Sequence, residues 1–255
     1  MPIAAPSLPS SLFPLPCLTD ILAIAAHRDD VEQTCGGTLL AMHAKGWRTG
    51  ILDLTQGESG TRGTTLERAV EAADAARILN VTHREALDLP DGNVQNTLEN
   101  RLKVAAVVRR LRPRVVILPY WQGRHPDHYT TSTLGYEACF ISGLAKVQTP
   151  GEQHPPHRPF KILYASLYAD VRPTFVTDIT PFAEQRFQSL MAYRSQYANQ
   201  VEGNALFVAE ADIRETTFAT ARHFGLLAGV RYAEPFVQKE VGLADDLMLL
   251  PVASI

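Results

Sequence analysis

Short strand-like runs alternate with longer helix-like segments along the first half of the chain. Most of the runs are continuous and apolar, which is typical of parallel strands covered on both faces of a sheet. The predicted strands are ILAIAAH (21–27), RTGILDLT (48–55), a short segment near 85–89 and RVVILPY (114–120). Segments rich in helix-forming residues separate them, at 31–45, 66–79 and 97–112. Because β and α segments alternate, the pattern predicts a parallel sheet with right-handed crossovers.

The pattern changes after Ser142, where Pro, Gly and His become frequent. We expect a loop there, followed by two added strands, two helices and an irregular tail that contains Pro235 and Phe236. The added strands are predicted at 161–168 and 174–179, and the helices at 181–197 and 209–227.

The chain is predicted to form one domain. Residues 1–19 are rich in Pro and Ser and contain no Lys or Arg, so we expect a flexible leader rather than a secretory signal. Residues 20–255 show no internal repeat and no long linker, which favours a single domain over this range.

Composition narrows the choice of partners. The 255 residues carry 24 Lys and Arg against 27 Asp and Glu, a formal charge of −3, without a basic run. This balance gives no electrostatic footprint for nucleic acid or an anionic membrane, so we expect a small-molecule partner. No apolar run reaches the roughly 20 residues that a membrane span needs. The three cysteines lack CxxC spacing, which argues against a disulfide framework or a thiolate zinc site and favours a cytoplasmic location.

Two polar clusters follow predicted strands directly. HRDD (27–30) comes after the first strand, and RHPDH (124–128) comes just after the strand at 114–120. Ligands of open α/β sheets bind at the carboxyl ends of the strands, so the two clusters are expected to meet in one crevice.

The residue types in these clusters suit a catalytic metal centre. His27, Asp30 and His128 supply imidazole and carboxylate ligands and leave coordination positions open for water and substrate. Asp29 is then placed to take a proton from water, and His125 to act as the complementary acid or charge stabiliser. We also expect Asp127 to accept a hydrogen bond from His125, which would fix the tautomer of that imidazole and raise its pKa.

Each cluster alone has a purely structural interpretation. An acidic residue after a strand commonly caps the next helix, as Asp29 or Asp30 would here. HPDH is equally compatible with a Pro-started helix whose first turn carries solvated polar residues. The paired placement of the clusters favours a functional site.

Several ordered motifs resemble those of the zinc-dependent N-acetylglucosaminyl deacetylases of the LmbE/PIG-L type. The A-H-x-D-D element stands at residues 26–30, and HPDH at residues 125–128. Further motifs are similar to those of the bacillithiol-biosynthesis deacetylases within that family. They are GESGTRG (57–63), PYWQGRHPDH (119–128), RPTFVTDI (172–179), AYRSQY (192–197) and GVRYAEPF (229–236), which together span most of the chain.

The resemblance implies zinc on His27, Asp30 and His128, with Asp29 as general base. It also implies that His125 stabilises the oxyanion or protonates the amine leaving group. Arg68, on the helix after the GESGTRG loop, would face a substrate carboxylate, although pairing with Glu67 or Glu71 is an equally open interpretation.

Other positions in these motifs carry weaker expectations. Arg124 is a further candidate for contact with the sugar or its anionic aglycone. Arg28 departs from the Pro or Ala that is common at the variable position of A-H-x-D-D, and this bulky cation is expected beside the metal cluster. Tyr193 and Tyr197 are expected to be packing residues of a helix. GESGTRG has the spacing of neither a P-loop nor a dinucleotide site, and a substrate loop is predicted instead.

Together these observations predict an α/β fold, a Rossmann-like three-layer sandwich with a mostly parallel sheet and added C-terminal strands. The predicted activity is removal of the acetyl group from an N-acetylglucosamine conjugate, with N-acetylglucosaminyl-L-malate as the expected substrate. Zinc is the expected metal and iron(II) fits the same ligands. A homo-oligomer is expected from the resemblance. The alternatives are a deacetylase of another N-acetyl sugar or small amide, a metal-dependent phosphoesterase and a non-catalytic metal- or sugar-binding protein.

Overall fold

The computed structural model describes residues 18–166, 170–197, 210–250 and 252. Residues 1–17 of the predicted leader lie outside the described residues. Its last two residues are anchored, because the backbone N–H groups of Leu18 and Thr19 donate to the carbonyl of Leu111 at 3.1 and 3.2 Å. The single domain predicted over 20–255 stays a prediction.

Seven strands form one sheet, flanked by eight helices within these ranges. The strands are β1 (Ile21–Ala25), β2 (Thr49–Asp53), β3 (His83–Ala86), β4 (Val115–Pro119), β5 (Lys161–Ala165), β6 (Phe175–Asp178) and β7 (Ala233–Val237). The helices are α1 (Asp30–Thr34), α2 (Gly36–Ala44), α3 (Thr65–Ile78), α4 (Leu98–Leu111), α5 (Pro126–Ser142), α6 (Ala183–Met191), α7 (Arg194–Tyr197) and α8 (Glu210–Leu226).

The sheet is doubly wound. Its strand order is β3-β2-β1-β4-β5-β7-β6, and the first five strands in that order are parallel. β7 runs antiparallel to both of its neighbours, β5 and β6. The predicted mostly parallel sheet with added C-terminal strands is therefore confirmed. The chain proceeds from β1 to one side and returns at β4 to the other, so the switch point lies between β1 and β4.

The apolar run of β1 feeds two cores because successive side chains of a strand point to opposite faces. Leu22 and Ile24 pack into a cluster with residues of α4 and α5. Ile21, Ala23 and Ala25 pack into a second cluster with residues of α1 and α2. Burial on both faces explains why this strand is continuously apolar.

Two predicted helices are interrupted in the structure. The helix predicted at 31–45 is two helices, α1 and α2, because the backbone leaves helical geometry at Cys35 (φ −145°). The helix predicted at 181–197 is a 3₁₀ turn (Thr180–Phe182) followed by α6 and α7.

The predicted irregular tail around Pro235 is wrong, since this residue lies inside β7. Pro lacks a backbone donor and argues against a central strand. Here β5 pairs only with Phe236 and Val237, whereas Pro235 aligns with Val176 of β6, so the missing N–H group lies beyond the β5 ladder.

The remaining predicted elements shift by a few residues. The strand predicted near 85–89 is β3, and the strand predicted at 161–168 ends at Ala165, with 167–169 outside the described residues. Within the described ranges, the longest helices are too short or too polar to cross a bilayer.

Candidate metal centre and active site

The two polar clusters meet at the switch point of the sheet. HRDD leaves the carboxyl end of β1 and enters α1, and HPDH connects the adjacent β4 to α5. As a result His27 Nδ1 lies 3.3 Å from His128 Nε2, although the residues are 101 positions apart in the chain. The predicted convergence of the clusters is what the structure shows.

Three of these side chains point donor atoms at one small volume. Asp30 Oδ1 lies 3.1 Å from His128 Nε2, and Asp30 Oδ2 lies 3.5 Å from His27 Nδ1. Ligands about 2.0–2.1 Å from a tetrahedral zinc ion are separated by roughly 3.4 Å. His27, Asp30 and His128 are therefore close enough together to share a first-row divalent cation, with Asp30 turning one oxygen toward each imidazole.

The charge of the pocket also favours a bound cation. Burial disfavours the charged form of His27, but hydrogen bonds to Asp30 and Asp91 outweigh it and raise the pKa of His27 to about 11. Burial raises the pKa of Asp30, but its contacts with His128 and His27 hold that pKa far below the usual range. The pocket thus stabilises a carboxylate and a positive charge side by side.

Two further sets of potential ligand atoms share His27, and within each set the atoms lie within 4.8 Å of one another. They are His27 with His125 and His128, and His27 with Asp91 and Asp127. The second set lies on the other ring nitrogen, and Asp127 already accepts two backbone hydrogen bonds there. The set of His27, Asp30 and His128 leaves Asp127 to these backbone bonds and has contacts of 3.1–3.5 Å.

Asp29 is held for a purpose other than capping. It occupies the N-cap position of α1, yet its side chain makes no capping hydrogen bond. Its Oδ2 instead accepts from Tyr197 Oη at 2.6 Å and from Gln33 Nε2 at 3.2 Å, while Oδ1 lies 3.7 Å from Arg68 Nη2. The helix-cap alternative for this residue is therefore not supported, and its carboxylate is oriented from three sides.

Tyr193 and Tyr197 have roles beyond the expected packing. Tyr197 orients Asp29, and the Tyr193 hydroxyl donates to the backbone carbonyl of Arg28 and lies 3.1 Å from Glu32 Oε1. Spacing of four residues on a helix could not separate packing from these contacts, because Tyr193 is buried in a small apolar cluster and Tyr197 packs partly buried against it.

A buried ionic network supports the HRDD turn from below. Arg84 Nε lies 2.9 Å from Asp53 Oδ2, and Arg84 Nη1 lies 2.7 Å from Glu32 Oε1. The third Arg84 nitrogen, Nη2, donates to the carbonyl of Arg28. Burial, only partly offset by Arg84, raises the pKa of Glu32 to about 7. The network fixes the peptide that precedes Asp29.

His125 opens α5 and faces outward. It is the N-cap residue, and its Nδ1 accepts from the backbone N–H of Asp127 at 3.3 Å. Its ring stacks on His128 with centroids 4.8 Å apart and meets His27 edge-on at 4.7 Å. Desolvation and the neighbouring imidazoles lower the pKa of His125.

Asp127 does not make the contact predicted for it. Its carboxylate was expected to accept from His125, but Oδ2 accepts from the backbone N–H of Gly92 at 2.8 Å and Oδ1 from that of Val94 at 3.0 Å. Oδ2 also lies 3.3 Å from His27 Nε2. The buried Asp127 carboxylate therefore anchors the turn at 90–94 beside the metal ligands, because the first turn of α5 directs it away from His125.

Arg68 and Arg124 lie in different surroundings. Arg68 is buried, donates to the Gly57 carbonyl at 3.2 Å and points toward Asp29. Gly57 has φ 74°, and a Cβ there would overlap the guanidinium, so this position requires glycine. Arg124 is exposed at the rim of the HPDH cluster.

The alternative partners of Arg68 are engaged elsewhere. Glu67 completes a capping box with Thr64, and Glu71 accepts from the backbone N–H and hydroxyl of Ser195. The structure therefore favours the interpretation in which Arg68 faces the site.

Arg28 does not stand beside the metal ligands as expected. It is buried, and its Nη1 donates to the Thr65 carbonyl at 2.8 Å, under the start of α3.

Asp91 is the site residue that sequence reasoning missed. Its Oδ1 lies 3.0 Å from His27 Nε2, and this hydrogen bond is the main reason that the pKa of Asp91 is lowered. Pro-Asp-Gly at 90–92 strongly predicts a turn, and a turn is sufficient to explain an Asp at this position without any functional role.

Comparison with known proteins agrees with this geometry. The family model PIG-L, described as GlcNAc-PI de-N-acetylase, matches residues 22–139, a range that contains both polar clusters. The chain is similar to this family over the part that carries β1, β4 and the candidate site.

Three similar proteins illustrate the range of the fold. The diacetylchitobiose deacetylase of Thermococcus kodakarensis is 29% identical over 226 residues, covering 84% of this chain and 80% of that protein. A conserved protein of Thermus thermophilus is 40% identical, with a TM-score of 0.80 over 90% of this chain and 98% of its own. The 4-carboxy-2-hydroxymuconate hydratase of Pseudomonas putida has a TM-score of 0.73 and 20% identity, covering 90% of this chain and 99% of its own. The fold alone therefore does not decide the reaction.

Proposed function

We propose that this protein is a metal-dependent N-deacetylase that hydrolyses the acetamide of an N-acetylglucosamine conjugate to the free amine and acetate. The observation that carries the proposal is that His27, Asp30 and His128 lie within 3.1–3.5 Å of one another beside Asp29. The Asp29 carboxylate does not cap α1 and is oriented by other side chains. A binding protein would have no need for such a carboxylate.

His27, Asp30 and His128 would hold the cation, for which zinc is the first candidate and iron(II) the second. When bound there, a divalent cation polarises a carbonyl oxygen and lowers the pKa of a water molecule. Asp29 takes the proton of the attacking water, with its lone pairs directed by Tyr197 and Gln33.

His125 serves the opposite end of the reaction. Its exposed ring faces the crevice beside the ligands and can stabilise the oxyanion or deliver a proton to the departing amine. Asp127 stabilises the turn at 90–94 beside the site through two backbone hydrogen bonds.

For the substrate we propose N-acetylglucosaminyl-L-malate. Arg68, buried between Gly57 and Asp29, offers a forked cation next to the site, and exposed Arg124 offers a second one at its rim. Two cations suit the malate carboxylates. We further propose that the protein acts as a homo-oligomer in the cytoplasm on this small-molecule glycoside.

Acetate release by the metal-loaded full-length protein tests the proposal. The substrates are N-acetylglucosaminyl-malate, diacetylchitobiose and N-acetylglucosamine, with Asp29→Asn and a chelated sample as inactive references. Asp88→Asn is the matched control, because Asp88 is exposed and pairs with Lys103 at 3.1 Å.

The expected result is acetate release that needs both Asp29 and metal, with N-acetylglucosaminyl-malate as the best substrate. A preference for another N-acetyl sugar would replace the malate conjugate and keep the deacetylase. Absence of acetate from every substrate, with folded and metal-loaded protein, would overturn the proposed activity.

A further inference from the structure

His27 is contacted on both of its ring nitrogens. Nδ1 faces Asp30 and His128, and Nε2 faces Asp91 Oδ1 at 3.0 Å and Asp127 Oδ2 at 3.3 Å. An imidazole that binds a cation through Nδ1 must carry its hydrogen on Nε2. That hydrogen needs an acceptor, which orients the ring and makes it a better ligand.

Asp91 is better placed than Asp127 to be that acceptor. Asp127 Oδ2, the oxygen nearest to His27, already accepts from the backbone N–H of Gly92. Asp91 divides its two oxygens, with Oδ1 toward His27 and Oδ2 accepting from the backbone N–H of Ser59 at 2.9 Å. The shorter contact to His27 is also the one from Asp91.

The backbone of Asp91 is bonded to the same glycine-rich loop. Its N–H donates to Glu58 Oε1 at 2.8 Å, and its carbonyl accepts from Ser59 Oγ at 2.9 Å. With the Ser59 N–H bond, three hydrogen bonds join Asp91 to the loop at 57–63. The position of this loop is thereby connected to the orientation of the His27 ring.

We propose that Asp91 is a positioning residue of the metal centre, which orients His27 and couples it to the loop at 57–63. The inference rests on the proposed metal site of His27, Asp30 and His128. It concerns ligand orientation and so has a readout independent of turnover.

The first test measures metal affinity. Dissociation constants for Zn²⁺ are determined by chelator competition on the full-length protein, with wild type, Asp91→Asn and the control Asp88→Asn. Loss of a carboxylate that supports a ligating imidazole weakens metal affinity by about 10–100-fold. We expect that loss in Asp91→Asn only, with a changed absorption spectrum of the Co²⁺-loaded protein.

The outcomes separate this inference from the proposed function. Wild type that binds no Zn²⁺ overturns the metal site itself. Wild type that binds Zn²⁺ with the same affinity and Co²⁺ spectrum as Asp91→Asn overturns the role of Asp91 alone. Should Asp91→Asn lose its metal-free fold by circular dichroism, Asp91→Glu decides, since it keeps the carboxylate and is expected to bind Zn²⁺ more tightly than Asp91→Ala.

The coupling to the loop is tested by a double-mutant cycle. Ser59→Ala removes the bond to the Asp91 carbonyl and is expected to weaken Zn²⁺ binding by about two- to tenfold. The same substitution in an Asp91→Ala background is expected to have a smaller effect, because the coupled carboxylate is gone. Strictly additive effects would overturn the coupling.

Discussion

The HRDD cluster after β1 is held from beneath by buried side chains, whereas the HPDH cluster after β4 opens a helix and faces outward. Arg84 and Tyr193 both bind the Arg28 carbonyl inside the first cluster. In the second, His125 is exposed and Asp127 accepts two hydrogen bonds from the backbone of the turn at 90–94. The first cluster is thus a rigid base, and the second combines one metal-ligand candidate with a group open to substrate.

The difference suggests that different residues serve the reaction and the stability of the fold, which mutation can test. Changes to Asp29, which faces the site from the first cluster, should affect the reaction and spare the fold. Changes to the buried Arg84 should affect the fold. Changes to the exposed His125 of the second cluster should lower the rate with little cost in stability.

Replacing the carboxylate of Asp29 is expected to have the largest effect on catalysis. Asp29→Asn keeps the shape of the side chain but removes the proton acceptor, which lowers the rate by about 10²–10⁴-fold. The metal content and the free energy of unfolding are expected to stay near those of wild type. Acetate release and elemental analysis of the same samples check this, and loss of metal in Asp29→Asn would show that Asp29 is a ligand instead.

Removing the Arg84 guanidinium beneath the HRDD cluster is expected to have a comparably large effect on the free energy of unfolding. Arg84→Met leaves Glu32 and Asp53 without their partner in a buried site, at a cost of about 3–5 kcal/mol. Arg110→Met is the control, because Arg110 pairs with Glu85 in a half-exposed place, where such a pair contributes about 1 kcal/mol or less.

Urea denaturation followed by circular dichroism measures both arginine variants. Equal midpoints would mean that the HRDD turn does not depend on the buried network.

His125→Gln tests the open cluster. Loss of one group that stabilises the oxyanion lowers the rate by about 10²–10³-fold. Because the His125 ring is exposed and its hydrogen bond with the Asp127 N–H lies within its own turn, the free energy of unfolding is expected to change little. Steady-state kinetics and urea denaturation measure the two quantities, and a large loss of stability with an unchanged rate would reverse the comparison.

Metal affinity is expected to rise with pH. The pKa of His27 is raised to about 11 in the metal-free protein, so the imidazole is protonated at neutral pH and metal binding must release that proton. Asp30 is already ionised and contributes no proton. Affinity should therefore increase by about tenfold per pH unit for a single released proton. Chelator competition at pH values of about 6, 7 and 8 measures this, and a flat profile would contradict a protonated His27.

Arg68 and Arg124 are expected to give the smallest and most informative difference. Arg68→Lys loses the fork between Gly57 and Asp29, and KM for N-acetylglucosaminyl-malate is expected to rise by about tenfold. Arg124→Lys keeps an exposed charge, and we expect a change of about threefold or less. The same ratio for N-acetylglucosamine, which carries no malate, would argue against recognition of a substrate carboxylate by Arg68.

The sequence by itself determined the parallel part of the sheet and the convergence of the two clusters, whereas β7 was missed. Continuous apolar runs such as 21–26 require burial on both faces, and alternation with helices requires a parallel sheet. Since ligands of such sheets bind at the carboxyl ends of the strands, HRDD and HPDH could be assigned to one crevice before any contact was known.

Only the tertiary structure decided how each side chain is used. Whether Asp127 would contact His125 or the turn at 90–94 depended on the direction of the first turn of α5. Whether Tyr197 would pack or orient Asp29 depended on where α7 meets α1, and Asp91 was concealed in a turn signal. Sequence periodicity reports which face of an element is apolar, but hydrogen-bond partners distant in the chain are set by the packing of whole elements.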